Sequence, residues 1–316
     1  MGNYPGNLDD AVAAWLEGQG RSLAGRSAAL TTAYAGGRPS REVDPAAYLV
    51  ARAPATFAAT ARVLAQAAEA LPDMQPSSLL DLGAGPGTAS WAALRQWPSL
   101  SRLTLVEEAP AFARLAEALC AGSGIGALQA ARLCHGTLQA LAPDEHADVV
   151  LASYVLAELP LDAMPETVAA IWQRAGQTLV LVEPGTPQGF ARIHAARKTL
   201  LASGAQLAAP CTHGGDCPMA GGDWCHFKVR LPRSRLHMHA KGATVPFEDE
   251  AFSYLVATRM PVSTGGHRVL APPQLGKAGV SLKLCGSEGL TKRNVPARDR
   301  DAFKPAKKLQ WGDVLR

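Results

Sequence analysis

Short apolar runs alternate with amphipathic stretches through the middle of this chain. Ser78–Leu82, Leu103–Val106, Val149–Ser153 and Thr178–Val182 are runs of strand length, and Gly87–Trp97, Pro110–Cys120 and Leu161–Arg174 between them carry the apolar spacing of helices. Strands separated by helices pair in parallel through crossovers, so the pattern predicts a doubly wound α/β sheet. Upstream, Ala-rich periodicity through Asp9–Leu16 and Tyr48–Leu71, interrupted at Pro54, predicts helices. A further helix is predicted over Gln188–Ala202, and residues 203–226 then become rich in Gly, Pro and Cys with little periodicity. Such a segment needs something other than a core to hold it. Phe252–Thr258, Val280–Leu284 and short stretches near Leu290–Val295 read as β. The expected organisation is a helical N-terminal extension (1–72), an α/β domain (73–204), a Cys-rich segment with a return strand (205–262) and a small β-rich unit (263–316).

A length of 316 residues favours more than one structural unit, and 47% hydrophobic with 18% charged residues is the composition of a folded chain. No apolar run reaches the roughly 18 residues of a membrane span, and Met1-Gly2-Asn3-Tyr4-Pro5 lacks the basic and apolar parts of a signal segment. The expectation is a cytoplasmic monomer. Charge changes the picture more. Residues 1–185 hold 11 Lys and Arg against 18 Asp and Glu, whereas residues 186–316 hold 20 against 9. A basic half beside an acidic one suits a polyanionic partner, because Lys and Arg that neutralise phosphates release condensed counterions.

The run Ser78–Leu82 enters Gly83-Ala84-Gly85-Pro86-Gly87-Thr88 and then a helix. Glycines let the backbone turn tightly and approach a ligand, and the helix start offers unpaired N–H groups. Leu103–Val106 ends in Glu107, placed to accept ribose hydroxyls of a nucleoside cofactor across the top of the sheet. Glu108 is the competing choice. Nicotinamide enzymes share this geometry. Asp81-Leu82-Gly83-Ala84-Gly85-Pro86-Gly87, however, resembles the first motif of class I methyltransferases, in which an acid precedes the glycines. Ala152-Ser153-Tyr154-Val155-Leu156-Ala157-Glu158-Leu159 resembles their fourth motif, at the strand bordering the methyl group. That resemblance implies a Rossmann-like fold and S-adenosylmethionine held by Asp81, Gly83, Gly85, Gly87, Glu107 and Ser153.

Cys211, Cys217 and Cys225 crowd the irregular segment, and Cys285 follows sixty residues later on a predicted strand. This is not the short pairing of zinc fingers. Cys217 precedes Pro218, as ligand cysteines of iron–sulfur proteins often do. A 4Fe-4S cluster on the four thiolates would tie the loop to the tail. Zinc in the same thiolates, or with His213 or His226 replacing one or two, is one alternative, and ordinary buried or free cysteines are another. Cys120 and Cys134 occupy core-like positions and read as packing residues.

Further blocks complete a pattern: Ala47-Tyr48-Leu49 with Arg52-Ala53-Pro54-Ala55-Thr56, Trp224-Cys225-His226-Phe227, Phe247-Glu248-Asp249-Glu250 with Phe252-Ser253-Tyr254, Leu284-Cys285 and Trp311-Gly312-Asp313. Together with the glycine loop and the cysteines, they resemble the ribosomal small-subunit, Rsm-type methyltransferase-like family, whose mitochondrial members assist subunit assembly. The resemblance implies an S-adenosylmethionine-type domain, a 4Fe-4S cluster on Cys211, Cys217, Cys225 and Cys285, and association with the small ribosomal subunit through rRNA.

Enzymes that methylate an exocyclic base amine commonly place Asn/Asp-Pro-Pro-aromatic after the fourth strand; here Ser153-Tyr154-Val155-Leu156 stands there, and no catalytic residue is nominated. Lys292, Arg293, Arg298, Arg300, Lys304, Lys307 and Lys308, with Phe303 and Trp311 nearby, form a segment able to track phosphates and stack on bases. Arg230, Arg233 and Arg235 would extend it. Two functions stay open: an enzyme methylating small-subunit rRNA, and a non-catalytic assembly factor that binds immature rRNA.

Overall fold

The computed structural model describes residues 6–17, 43–219, 222–263 and 265–316. The parts of the expected N-terminal extension at 1–5 and 18–42 lie outside the described residues. α1 (Gly6–Glu17) is followed by α2 (Pro45–Ala51) and α3 (Ala53–Ala70), which break at Arg52. Pro54 sits in the first turn of α3, where a missing N–H costs nothing, so it starts a helix where the sequence pattern showed an interruption.

The main sheet follows: β1 (Ser78–Leu82), α4 (Thr88–Gln96), β2 (Arg102–Glu107), α5 (Pro110–Ala121), α6 (Gly126–Gln129), β3 (Arg132–His135), β4 (Ala147–Ser153), α7 (Met164–Gln173), β5 (Ala175–Pro184), α8 (Pro187–Ala202), β6 (Gln206–Ala209), β7 (Phe227–Pro232), α9 (Arg235–Lys241) and β8 (Phe247–Thr258). Its order is β3-β2-β1-β4-β5-β8-β6, with β7 also paired to β8. The first five strands are parallel, and β8 runs antiparallel to β5, β6 and β7. Residues 205–262 therefore finish this sheet while carrying the cysteine loop between β6 and β7.

Both faces are covered, which explains the unbroken apolar runs. Leu79, Val149, Leu151, Val180 and Val182 pack on the side of α3, α4 and α5, and their neighbours Leu80, Val150, Ala152, Leu179 and Leu181 pack toward α7 and α8. Asp81 points into the first layer and is 1% exposed.

The tail forms a second, five-stranded antiparallel sheet from β9 (His267–Val269), β10 (Gln274–Gly276), β11 (Gly279–Gly286), β12 (Gly289–Pro296) and β13 (Val314–Leu315). Val280, Leu282 and Leu284 alternate inward and pack with Val295 and Ala306 of α10 (Arg300–Ala306). The register puts Cys285 on the opposite face of β11, together with Lys283 and Ser281.

Two contacts bind distant parts of the chain. Arg52 at the α2–α3 break forks onto Glu250 of β8 at 2.9 and 2.6 Å. The dry guanidinium of Arg268 on β9 donates to the Pro210 carbonyl, the Gln66 side chain on α3 and the Gly312 carbonyl, each at 2.6 Å. Trp311 packs beside His226 and Phe227, with ring centroids 5.0 and 6.4 Å away. It is a structural contact of the tail, not the free base-stacking aromatic expected from sequence.

Candidate functional site

The glycine loop leaves β1 at its C-terminal edge. Gly83 and Gly85 adopt φ of 64° and 55°, which L side chains resist. A Cβ on Gly83 would strike the Val155 side chain at 2.5 Å, whereas one on Gly85 would meet nothing within 4 Å. The loop thus closes on the protein at Gly83 and faces open space at Gly85.

Glu107 is buried at the end of β2. Its two carboxylate oxygens accept from the amides of Gly85 and Ala109, both at 2.8 Å. Glu108 is exposed, so the geometry favours Glu107 over its neighbour. Burial raises the Glu107 pKa despite those two amides. Asp81 accepts from the Ser90 hydroxyl of α4 at 2.7 Å, and burial pushes its carboxyl up to about 7. Ser153 ends β4 and shares a 3.0 Å hydrogen bond with Thr60 of α3.

Four side chains, Tyr154, Glu250, Arg52 and Glu183, had no role assigned from sequence. Tyr154 takes a φ of 63°, donates its hydroxyl to Glu250 at 3.0 Å and lies with its ring 5.0 Å from the Arg52 guanidinium. The place of an amine-binding motif is thereby filled by a Tyr154–Glu250–Arg52 cluster. Glu183, at 0% exposure near the end of β5, accepts the Leu156 amide at 2.8 Å, and burial pushes its carboxyl up to about 8. An acid ending an apolar strand was the available signal for Glu183; Arg52 and Glu250 stood only as motif letters, because their meeting is a tertiary event.

The second candidate site lies beyond β8. Cys211, Cys217, Cys225 and Cys285 line one cavity, together with Arg197, Thr212, His213, Tyr254 and Arg268. All four cysteines are free. Burial, together with the nearness of the other thiols, raises Cys225 well above the ordinary range and Cys285 to about 11. Burial also raises Cys211, opposed by the nearby Arg197 guanidinium. His226 is stacked on Trp224 at 5.1 Å and does not line the cavity.

A thiolate-bound group suits this donor set, because the buried Arg197 Nε, Thr212 Oγ1, His213 Nδ1 and Tyr254 hydroxyl beside it have no hydrogen-bond partner. Among the described residues, no three His, Cys, Asp or Glu side chains are grouped tightly enough for a single metal ion.

All seven basic residues of the tail, Lys292, Arg293, Arg298, Arg300, Lys304, Lys307 and Lys308, are exposed. Arg235 is exposed at the start of α9. Arg230 is exposed and paired at the surface with Asp249 at 2.6 Å, and the half-buried Arg233 pairs with Glu248 at 3.3 Å.

The strand order, the antiparallel β8 and the glycine loop over β1 define a methyltransferase-like α/β fold. Similar solved structures include a magnesium protoporphyrin IX methyltransferase from Synechocystis with bound S-adenosylmethionine, 14% identical over 65% of this chain and 80% of that one, with a TM-score of 0.41. Another is a precorrin-6y C5,15-methyltransferase from Geobacter metallireducens, 15% identical over 64% of this chain and 86% of that one, TM-score 0.41.

Residues 42–316 match the model of the mitochondrial small ribosomal subunit Rsm22 family, and the chain belongs to that family. It is 29% identical over 285 residues to the human mitochondrial ribosome assembly protein METTL17, covering 85% of this chain and 61% of that protein. It is 25% identical over 300 residues to the Schizosaccharomyces pombe mitochondrial Rsm22-cox11 tandem protein 2, covering 75% of this chain and 38% of that one. The chain thus spans about three-fifths and two-fifths of these relatives' lengths. Their names place those proteins in mitochondria, so the cytoplasmic expectation finds no support in them. No helix among the described residues is long and apolar enough to cross a membrane.

An acid whose pKa is higher folded than unfolded takes up a proton on folding. Its contribution is fully present below the unfolded value, 4.5 for Glu183, and is lost as the pH rises through about 8. Glu183→Gln, which cannot ionise, is therefore expected to gain thermal stability relative to the parent protein as the pH is raised from about 5 to about 9. Melting curves across that range check this, and a difference in Tm that does not change with pH contradicts it.

Proposed function

We propose that this chain is an assembly factor of the small ribosomal subunit. In this reading it acts as a monomer on immature rRNA, holds S-adenosylmethionine at the glycine loop and carries a 4Fe-4S cluster on Cys211, Cys217, Cys225 and Cys285. The observation that carries the reading is the meeting of Cys285 with the three loop cysteines at one cavity, across sixty residues of chain. The name of the human relative, a ribosome assembly protein, supports the assembly role.

Zinc is the rival occupant. A tetrahedral zinc site brings its sulfurs within about 2.3 Å of one point. What favours the cluster is the spacing of the cysteines, which is not the short pairing of zinc fingers, and the Cys217-Pro218 pair.

At the nucleoside site, Gly83, Gly85 and Gly87 let the loop backbone turn close beside the cofactor, Glu107 accepts from its ribose, and Ser153 borders the methyl-bearing side. Asp81 supports the loop from beneath through Ser90. When bound, S-adenosylmethionine supplies an activated methyl group. Tyr154, fixed by Glu250 and Arg52 where an acceptor base would dock, favours binding without transfer. The intact loop, with Gly85 facing open space, favours the second reading, methylation of small-subunit rRNA.

The exposed basic tail supplies the RNA contact. Its phosphate neutralisation is electrostatic and hence dependent on salt.

Three measurements separate these readings. Protein purified anaerobically should be brown and contain iron with acid-labile sulfide, and Cys217→Ser should lose both; stoichiometric zinc without sulfide overturns the cluster. Binding to a small-subunit rRNA fragment should weaken when Lys292, Arg293, Lys307 and Lys308 are all changed to Ala. The slope of log affinity against log salt should then flatten by about 3, and an unchanged slope removes the tail from the interface. With labelled cofactor and the same RNA, no label should pass to the RNA. Transfer that is abolished by Gly85→Arg establishes the methylating reading instead.

A further inference from the structure

The cysteine cavity holds more polarity than four thiols require. Arg197 reaches it from α8, is 5% exposed and lies beside the Cys211 thiol; one terminal nitrogen donates to the carbonyls of His213 and Gly215, while its Nε–H lacks a well-formed hydrogen bond. Arg268, also 5% exposed, spends its donors on two carbonyls and one amide oxygen. Neither guanidinium takes part in an ion pair with a carboxylate among the described residues. Tyr254 of β8, 3% exposed, adds a hydroxyl without a partner. All three side chains line the cavity together with the cysteines.

Dry positive charge is stable only against negative charge, and a dry donor needs an acceptor. Four neutral thiols supply no charge, and a thiol sulfur, such as that of Cys211 beside Arg197, accepts only weakly. Four thiolates around an oxidised cubane leave two net negative charges, matching the two guanidiniums, and the cluster's sulfurs accept hydrogen bonds.

We infer that Arg197, Arg268 and Tyr254 form a charge-balancing wall for the group held by the cysteines: the two guanidiniums offset its negative charge, and Arg197 Nε–H and the Tyr254 hydroxyl donate to its sulfurs. This inference rests on the reading of the cysteines as cluster ligands. The three act through the bound group as positioning and tuning residues. Arg268 also ties α3, the Pro210 turn and the C-terminal Gly312 together, so Arg197 and Tyr254 are the cleaner test. Hydrogen bonds to sulfur and nearby positive charge favour the more negative, reduced state of a cluster, and so raise its midpoint potential.

The test uses the full chain purified anaerobically, with Tyr254→Phe, Arg197→Met and Arg197→Lys as variants. Iron and sulfide content, midpoint potential by optical redox titration and the rate of iron release to a bipyridyl chelator are read for each. Tyr254→Phe removes a single oxygen and should keep its iron with a lower midpoint potential. Arg197→Met should lower the potential and release iron about 10-fold faster or more, as loss of a supporting hydrogen bond does at other metal sites. Arg197→Lys, which keeps the charge but not the Nε–H, should fall between. A loaded parent protein whose Tyr254→Phe and Arg197→Met variants match it in potential and release rate overturns the wall and leaves the cluster standing. A parent protein without iron and sulfide overturns the cluster and the wall with it. If Arg197→Met does not fold, Tyr254→Phe decides alone, and an unshifted potential counts against the proposal.

Discussion

A buried guanidinium must spend its donors, and Arg268 does so on three parts of the chain that are far apart in sequence. The Pro210 carbonyl belongs to the entry of the cysteine loop, Gln66 to α3 and the Gly312 carbonyl to the C-terminal turn. Satisfying that one cation requires the N-terminal helices, the loop and the tail sheet to meet. β9, which carries Arg268, pairs with β11 at Cys285, so the same requirement brings the fourth thiol to the other three. Polar satisfaction thus acts beside the apolar packing of Leu270 and Trp311 in joining the small β unit to the methyltransferase-like sheet.

The Tyr154–Glu250–Arg52 cluster and the cysteine cavity share β8. Its first half supplies Glu250 to Arg52 and to Tyr154, the residue that follows Ser153 at the end of β4. Ser253 donates to the Cys225 carbonyl at 2.8 Å, and Tyr254 reaches the cysteine cavity. Trp224, next to Cys225, donates its indole N–H to the Gly185 carbonyl just past β5. The two sites therefore stand on adjoining elements. The exposed basic residues of the tail stand on a sheet whose β9–β11 pair carries Cys285.

Much of this was legible in the sequence because the inner strands are buried on both faces. β1, β4 and β5 read as continuous apolar runs, and the glycine loop with Glu107 followed from them. β3, β6 and β7 did not stand out: β3 reads Arg-Leu-Cys-His with both ends exposed, and β6 is four residues long at the sheet edge, so neither carries a strand-length apolar signal. The four cysteines were identifiable by crowding and by Pro218, but their convergence depends on β9–β11 pairing, which no local pattern encodes. The basic residues show the opposite limit. Arg230 and Arg233 looked like Lys292 and Lys307 in the sequence, and only the β7–β8 pairing shows that Asp249 and Glu248 neutralise them. Trp311 likewise reads as a stacking aromatic until the fold packs it beside His226.

The central claim is that a group bound by the four thiols holds the loop and the tail sheet together. Hydrogen–deuterium exchange on anaerobically purified protein, before and after removal of its metal by chelation, tests this most directly. The account predicts that stripping speeds exchange over residues 205–226 and through β9 and β11, while β1, β4 and β5 are unchanged. Identical exchange in the loaded and stripped protein, with metal loss verified, would contradict it.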